Sequence, residues 1–204
     1  MKVQVIHQLI VKIRLLNPPL HLQIQENREV SMLHFFKNNF LIPTFVFFIL
    51  LLDGSVMTML SYSLGSEKFQ ISPQFTLIVI TLLAVYLIND SKIFLVSIII
   101  GFIYDAYYSS ILGVNLFLFP MIVILTRAVI KKFPMNFYTI WLWILIVYTV
   151  YTHFIYALYY LIDTHSSSYY YFLSQNYIPS LLFNAFLGFI FIWLIQKLVI
   201  WFEK

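Results

Sequence analysis

Residues 93–130 read IFLVSIIIGFIYDAYYSSILGVNLFLFPMIVILTRAVI, which is two long apolar runs joined by a short polar turn. Only Asp105 and Arg127 carry a formal charge in this stretch. A helix needs about 20 apolar residues to cross the hydrocarbon core of a bilayer, and each run approaches that length. Backbone N–H and C=O groups in lipid must be paired within their own segment, so both runs are predicted to be membrane helices.

The composition of the whole chain supports the same class. Of the 204 residues, 62% are hydrophobic, 20% aromatic and only 10% charged, and the mean hydropathy is +0.90. Ordinary soluble domains carry roughly 25% charged and about 45–50% apolar residues, which argues against a soluble monomer. Disorder would need low hydrophobicity and high net charge. The chain has no cysteine, which excludes disulfides, thiolate metal sites and a cysteine nucleophile.

The predicted fold is an all-α integral membrane protein built as a bundle of six transmembrane helices. In the second segment, Ser72 is predicted to cap the helix and Pro73 to lie in its first turn. A membrane-deep hairpin formed by the second and third segments remains an alternative. The six predicted spans cover residues 41–60, 72–88, 93–108, 112–130, 137–162 and 179–202.

The distribution of positive charge predicts the orientation. With both termini in the cytoplasm, eleven of the twelve Lys and Arg residues lie on the inner side and only Lys68 lies outside, as the positive-inside rule requires. The net charge of +4 is therefore interpreted as an orientation signal. Arg127, Lys131 and Lys132 form a basic inner loop and are expected to reach lipid headgroups. Tyr156 and its neighbours are expected to mark the outer interface.

Residues 1–31 differ from the rest in being mixed in polarity. One interpretation is a cytoplasmic amphipathic tail. The other is that translation starts at Met32, because residues 28–30 can be encoded by a ribosome-binding sequence just before that codon. In either case residues 32–204 are predicted to form a single six-span membrane domain.

Two polar residues lie deep in predicted spans. An ionisable group at the centre of a membrane helix costs about 3 kcal/mol or more, so each invites an explanation. Asp53 follows an aliphatic run in the first span and is expected to hydrogen-bond another helix, with a proton or ligand site as the alternative. His153 in the fifth span is expected to be a satisfied interior residue. Asn184 and Gly188 are predicted to be packing positions.

A stripe of small residues leads to the second carboxylate. Ser97, Gly101 and Asp105 recur every four residues and therefore lie on one helix face. Small residues at this spacing let another helix approach closely. We expect a helix-packing or partner seam, either internal or for docking, in which Asp105 caps the following turn or binds a partner. Gly113 suits a tight outer turn, and Asn115 is a candidate cap for the next helix.

No catalytic constellation is found in the sequence. The chain has no His-Glu-x-x-His, no Gly-x-Ser-x-Gly and no phosphate-binding glycine loop. Asp53 and Asp105 lack the flanking residues of intramembrane aspartyl proteases or phosphatidyltransferases. The chain is therefore predicted not to be an enzyme, with no cofactor, no metal and no nucleic-acid partner.

The run Gly101-Phe102-Ile103-Tyr104-Asp105, followed after seven residues by Gly113, resembles the signature of the rod shape-determining protein MreD family. That signature is similar to G-x-x-x-G-x-x-x-D-x7-G at the outer end of the third span, with Ser97 replacing the first glycine here. The position of Asp53 after an aliphatic run, and of Pro73, resembles Gram-positive members. The similar layout extends over residues 32–204.

The resemblance implies a non-enzymatic subunit of the cell-elongation machinery that makes peptidoglycan in the plasma membrane. It implies association with a single-span MreC-type protein. Through that protein it implies association with MreB-like filaments, a RodA-type glycosyltransferase and a class B penicillin-binding protein. The family is similar in fold to the substrate-binding subunits of energy-coupling-factor vitamin transporters, and such a transport subunit is the alternative function.

Overall fold

The computed structural model describes residues 41–64, 70–88, 90–133, 136–162 and 168–202. Throughout these ranges the chain forms helices and connecting turns, and no strand occurs in them, as predicted. The tail and the Met32 start lie outside the described residues, as does Lys68. The helices are α1 (Leu41–Leu64), α2 (Phe75–Tyr86), α3 (Lys92–Tyr108), α4 (Val114–Ile130), α5 (Phe137–Leu161), the short α6 (Tyr169–Tyr171), a π-helix (Phe172–Tyr177) and α7 (Ile178–Phe202).

The helices fall into two length classes. Among the residues that the structure describes, three apolar stretches are long enough to cross a membrane, and they belong to α1, α5 and the continuous helix from α6 through α7. In contrast, α2 has 12 residues and α3 and α4 have 17 each. At 1.5 Å per residue α2 is only about 18 Å long, well short of a ~30 Å hydrocarbon core.

The short helix α2 is the centre of the structure. Every residue from Thr76 to Tyr86 is buried, because the helix is apolar on all sides and can only be stable when surrounded by protein or lipid. It contacts α1, α3 and α4 on one side and α5 and α7 on the other. Helix α3 packs on both α1 and α4, and α5 packs on α7. The fold thus consists of two groups of helices joined through α2.

The predicted start of the second helix is wrong. Ser72 and Pro73 belong to a non-helical segment, and α2 begins only at Phe75. Side chains of α7 satisfy the backbone of this segment. Ser180 Oγ accepts the Ser72 N–H at 2.9 Å, while Asn184 Oδ1 accepts the Gln74 N–H at 2.9 Å and Asn184 Nδ2 donates to the Ser72 carbonyl at 2.9 Å. Because its polar groups are paired in this way, the segment can lie inside the protein without being helical.

Candidate functional site: capped helix ends around a cavity

Asp105 holds the start of α4. Its side chain is only 1% exposed, and its Oδ2 accepts backbone N–H bonds from Gly113 at 3.0 Å and Leu116 at 2.9 Å. Its Oδ1 accepts the backbone N–H of Asn115 at 3.0 Å and the Asn115 side-chain amide at 2.8 Å. The first N–H groups of a helix have no partner within the helix and favour a negative charge. The carboxylate of α3 therefore serves as an N-terminal cap for α4.

The cap is linked to the opposite helix group through Asn115. The hydroxyl of Tyr151 in α5 donates to Asn115 Oδ1 at 2.7 Å, and the Tyr151 ring stacks on Phe119 with centroids 6.3 Å apart. Asp105, Asn115 and Tyr151 thus form a buried chain of hydrogen bonds from α3 through α4 to α5. The sequence offered no reason to select Tyr151, because α5 carries many tyrosines of similar context.

The Ser97–Gly101–Asp105 stripe faces α4 inside the protein. Ser97 is fully buried and its hydroxyl donates to the Phe94 carbonyl at 2.7 Å. A Cβ atom added at Gly101 would lie 2.5 Å from the Asn115 carbonyl oxygen. Of the two alternatives for the seam, the geometry fits internal packing, because the backbone of α4 already occupies this face.

Asp53 caps the N-terminus of α2 in the same way as Asp105 caps that of α4. It is 3% exposed, and its two oxygens accept the backbone N–H of Phe75 at 2.6 Å and that of Thr76 at 2.9 Å. The expected hydrogen bond to another helix is therefore present, and its donors are the first amides of α2. In both cases a carboxylate from the preceding helix in the sequence caps the next one.

Removing the Asp53 carboxylate should destabilise the fold. In Asp53→Ala the Phe75 and Thr76 amides lose their acceptor in a buried site, and each unsatisfied buried donor costs about 1–3 kcal/mol. We expect the midpoint of thermal unfolding in detergent to fall by roughly 5–15 °C, at about 2–4 °C per kcal/mol for a chain of this size. Ser55→Ala is the matched control, since among the described residues its exposed hydroxyl bonds the Leu51 carbonyl of its own helix and nothing else. Equal midpoints for the two variants would contradict the capping role.

Arg127 does not simply extend to the headgroups as predicted. Its guanidinium donates from Nη2 to the Leu87 carbonyl at 3.2 Å and also to the Asp90 carbonyl. These carbonyls lie at the C-terminal end of α2 and in the α2–α3 turn, where a positive charge is favoured by the helix dipole. Helix α2 is therefore capped by Asp53 at its N-terminus and by Arg127 at its C-terminus. Lys131 and Lys132 are exposed.

The Arg127 cap predicts a smaller, measurable effect. In Arg127→Met the Leu87 and Asp90 carbonyls lose a charged donor, and hydrogen bonds to charged groups contribute about 1.5–3 kcal/mol. We expect the unfolding midpoint to fall by several degrees. Lys131→Met removes an exposed charge from the same helix end and should leave the midpoint within about 1 °C. A comparable decrease in both variants would indicate that only the loss of positive charge matters.

His153 is held by its own helix and by aromatic rings. Its Nδ1 lies 2.8 Å from the Thr149 carbonyl oxygen, and its ring lies edge-on to Tyr177 with centroids 4.7 Å apart. Across the described ranges, no group of three His, Cys, Asp or Glu side chains could hold a metal ion. His153 is partly buried and packed among aromatic side chains.

A cavity of about 270 Å³ lies beside the two capped helix ends. Its wall is formed by α1, the non-helical segment before α2, the ends of α3 and α4, α5 and the π-helix. The aromatic and apolar part consists of Met57, Tyr104, Tyr108, Tyr148, Tyr151, Ile155, Tyr156, Tyr159 and Phe172. The polar part consists of Ser72, Gln74, Ser109, Asn115, Thr152 and Asn176. The sequence did not predict this cavity, because its polar residues come from five separate segments.

Comparison with known families identifies the chain. A family model described as rod shape-determining protein MreD matches residues 34–201. The chain belongs to the MreD family. This confirms the resemblance based on Gly101, Asp105 and Gly113, and it supports a membrane protein that determines cell shape. No curated protein and no solved structure matches the chain. In this MreD-family protein the residues on which the resemblance was based join α3 to α4: Asp105 bonds the Gly113 amide, and Gly101 packs against the backbone of Asn115.

Proposed function

We propose that this MreD-family protein is a non-enzymatic membrane scaffold of the cell-elongation machinery that synthesises peptidoglycan. The observation that carries the proposal is the family match over residues 34–201. The structure supports the proposal because the two buried carboxylates accept hydrogen bonds from backbone amides. Both Asp53 and Asp105 are occupied by backbone amides, which is the environment of a structural group and leaves no carboxylate oxygen directed at a substrate.

The proposed topology is six plasma-membrane spans with both termini in the cytoplasm. Two observations support this topology. Arg127 at the end of α4 reaches the α2–α3 turn, so the two turns assigned to the inner side lie together. Ser72, Ser109 and Asn176, from three connections assigned to the outer side, border one cavity. Short helices that do not span the core alone are compatible with this topology because they are enclosed by longer neighbours.

The proposed partners are a single-span MreC-type protein and membrane lipids. Through the former, the partners include MreB-like filaments, a RodA-type glycosyltransferase and a class B penicillin-binding protein. Affinity purification from native membranes after mild cross-linking tests the proposal. We expect an MreC-type protein and cell-wall synthases to be enriched over a purification with an equally tagged, unrelated polytopic protein. Enrichment no greater than in that control would overturn the proposal.

The outer cavity favours a second candidate, the substrate-binding subunit of an energy-coupling-factor-type vitamin transporter. Such a subunit needs a solute pocket where polar groups converge from several outer helix ends, and Gln74, Asn115 and Asn176 converge in this way. The same purification separates the two functions. Co-elution of a pair of ATPases in place of cell-wall synthases would support transport.

A further inference from the structure

We propose that this protein binds a single lipid with a neutral, polyhydroxylated headgroup, of which the sugar occupies the outer cavity and one acyl chain lies in a groove between α4 and α5. The proposal does not depend on the scaffold function. It rests on the chemistry of the cavity, the chemistry of the groove and the residue that borders both of them.

The residues that border the cavity suit a neutral, hydroxylated ring such as a sugar. None of the described residues that border it carries a formal charge, whereas phosphate groups are usually bound by Arg or Lys. The amides of Gln74 and Asn176 border the cavity. Within the described part of the chain, neither side-chain nitrogen has a hydrogen-bond acceptor. Free amide donors between tyrosine rings suit sugar hydroxyls and the apolar faces of a sugar ring.

The groove has the lining of a site for a hydrocarbon chain. It has a volume of about 220 Å³, and the side chains that border it are apolar or aromatic. Phe117, Met121 and Leu125 extend along α4 for two turns, about 12 Å at 1.5 Å per residue. Val150 and Phe154 of α5 form the opposite wall, and Val150 is 62% exposed. The groove therefore opens towards the space that lipid would occupy.

Tyr151 lies between the two spaces and borders each of them. Its hydroxyl bonds Asn115 at the edge of the cavity. On α5, Thr152 faces the cavity while Val150 faces the groove. A free sugar would fill only the first space, and the chain of an ordinary phospholipid only the second. An amphiphile with a neutral head fills both, which is why we assign a glycolipid.

Native mass spectrometry of the purified full-length protein tests this assignment. The protein is incubated with an equimolar mixture of monoglucosyl diacylglycerol and phosphatidylglycerol with the same acyl chains, and separately with glucose. We expect the glycolipid to be retained about tenfold over phosphatidylglycerol, and glucose not to be retained. Equal retention of both lipids would overturn the neutral-head assignment. Retention of glucose as strong as that of the glycolipid would assign the cavity to a soluble solute.

Two variants locate the lipid. Val150→Trp fills the groove and Asn176→Ala removes a head contact, and each should reduce the amount of glycolipid retained at least fivefold. Leu182→Trp is the matched control, because Leu182 is a comparably exposed apolar residue (68%) on α7 and does not border either space. Unfolding midpoints close to that of the native protein establish that the variants are folded. If Val150→Trp retained as much glycolipid as Leu182→Trp, the groove would not be the chain site.

Discussion

Among the three carboxylates in the described part of the chain, Asp105 is expected to cause the largest loss of stability when it is replaced by alanine. Three backbone amides and the Asn115 side chain lose their acceptor in a site that is 1% exposed. At about 1–3 kcal/mol for each buried donor left unpaired, the total is at least ~4 kcal/mol. Folded proteins have only about 5–15 kcal/mol of net stability, so much of the population should unfold. The measurement is the unfolding midpoint in detergent and the yield of monodisperse protein.

The control is Asp90→Ala, in the α2–α3 turn. Asp90 accepts one exposed bond from the Lys92 amide, and its loss should cost less than about 1 kcal/mol. Asp105→Asn should lie between the two, because the amide keeps one acceptor oxygen but directs N–H groups at backbone donors. Should Asp105→Ala unfold at the same temperature as Asp90→Ala, Asp105 would not be the group that holds α4.

This expectation changes how a cellular phenotype is interpreted. A variant that loses the α4 cap should be depleted from membranes, so a defect in cell shape would follow from the absence of folded protein. The amount of protein in the membrane must therefore be measured together with cell shape. A shape defect at normal protein levels would instead indicate that the Asp105 charge binds a partner.

The buried carboxylates were predictable because of their energetic cost. A charge in an apolar segment is so unfavourable that Asp53 and Asp105 stood out without any knowledge of the fold. The backbone amides that each carboxylate binds were harder to predict. A carboxylate that caps an amide four to eight residues later can be inferred from local spacing, as with Asp105 and Gly113. Asp53, in contrast, binds amides more than twenty residues away, beyond an intervening connection.

The role of Arg127 was not predictable from its position. A basic residue near the inner end of a membrane helix has the same sequence context whether it contacts phosphate or a carbonyl. The difference lies in the length of α2, which ends early enough to leave the Leu87 carbonyl within reach. The start of α2 depends on Ser180 and Asn184, which bond the backbone of the segment before it. Local cap signals at Ser72 and Pro73 were overridden by these tertiary contacts.

Gly101→Leu is expected to prevent folding, and a glycine-to-alanine series shows why. At Gly101 a Cβ would lie 2.5 Å from the Asn115 carbonyl oxygen and 2.9 Å from the Leu116 Cα, where about 3.5–4.0 Å is the optimal separation. These are backbone atoms that cannot rotate aside, so α3 and α4 must separate. Asp105 lies one turn further along α3 and would move away from its donors. Even Gly101→Ala should lower the unfolding midpoint by roughly 10 °C, and leucine by more.

The other two glycines of the series separate steric from conformational effects. Gly113 has φ +101° with no atom within 4 Å of an added Cβ, so Gly113→Ala should cost about 1–2 kcal/mol through backbone strain alone. At Gly188 the nearest atom is 3.5 Å away, on Ile144, and alanine is the better helix former by about 1 kcal/mol. Gly188→Ala should therefore be neutral or stabilising. The unfolding midpoint is expected to be highest for Gly188→Ala, lower for Gly113→Ala and lowest for Gly101→Ala, because only the last variant forces two helix backbones apart. A Gly101→Ala protein as stable as the native one would mean that α4 does not fill this face, and the stripe would again be a candidate surface for a partner helix.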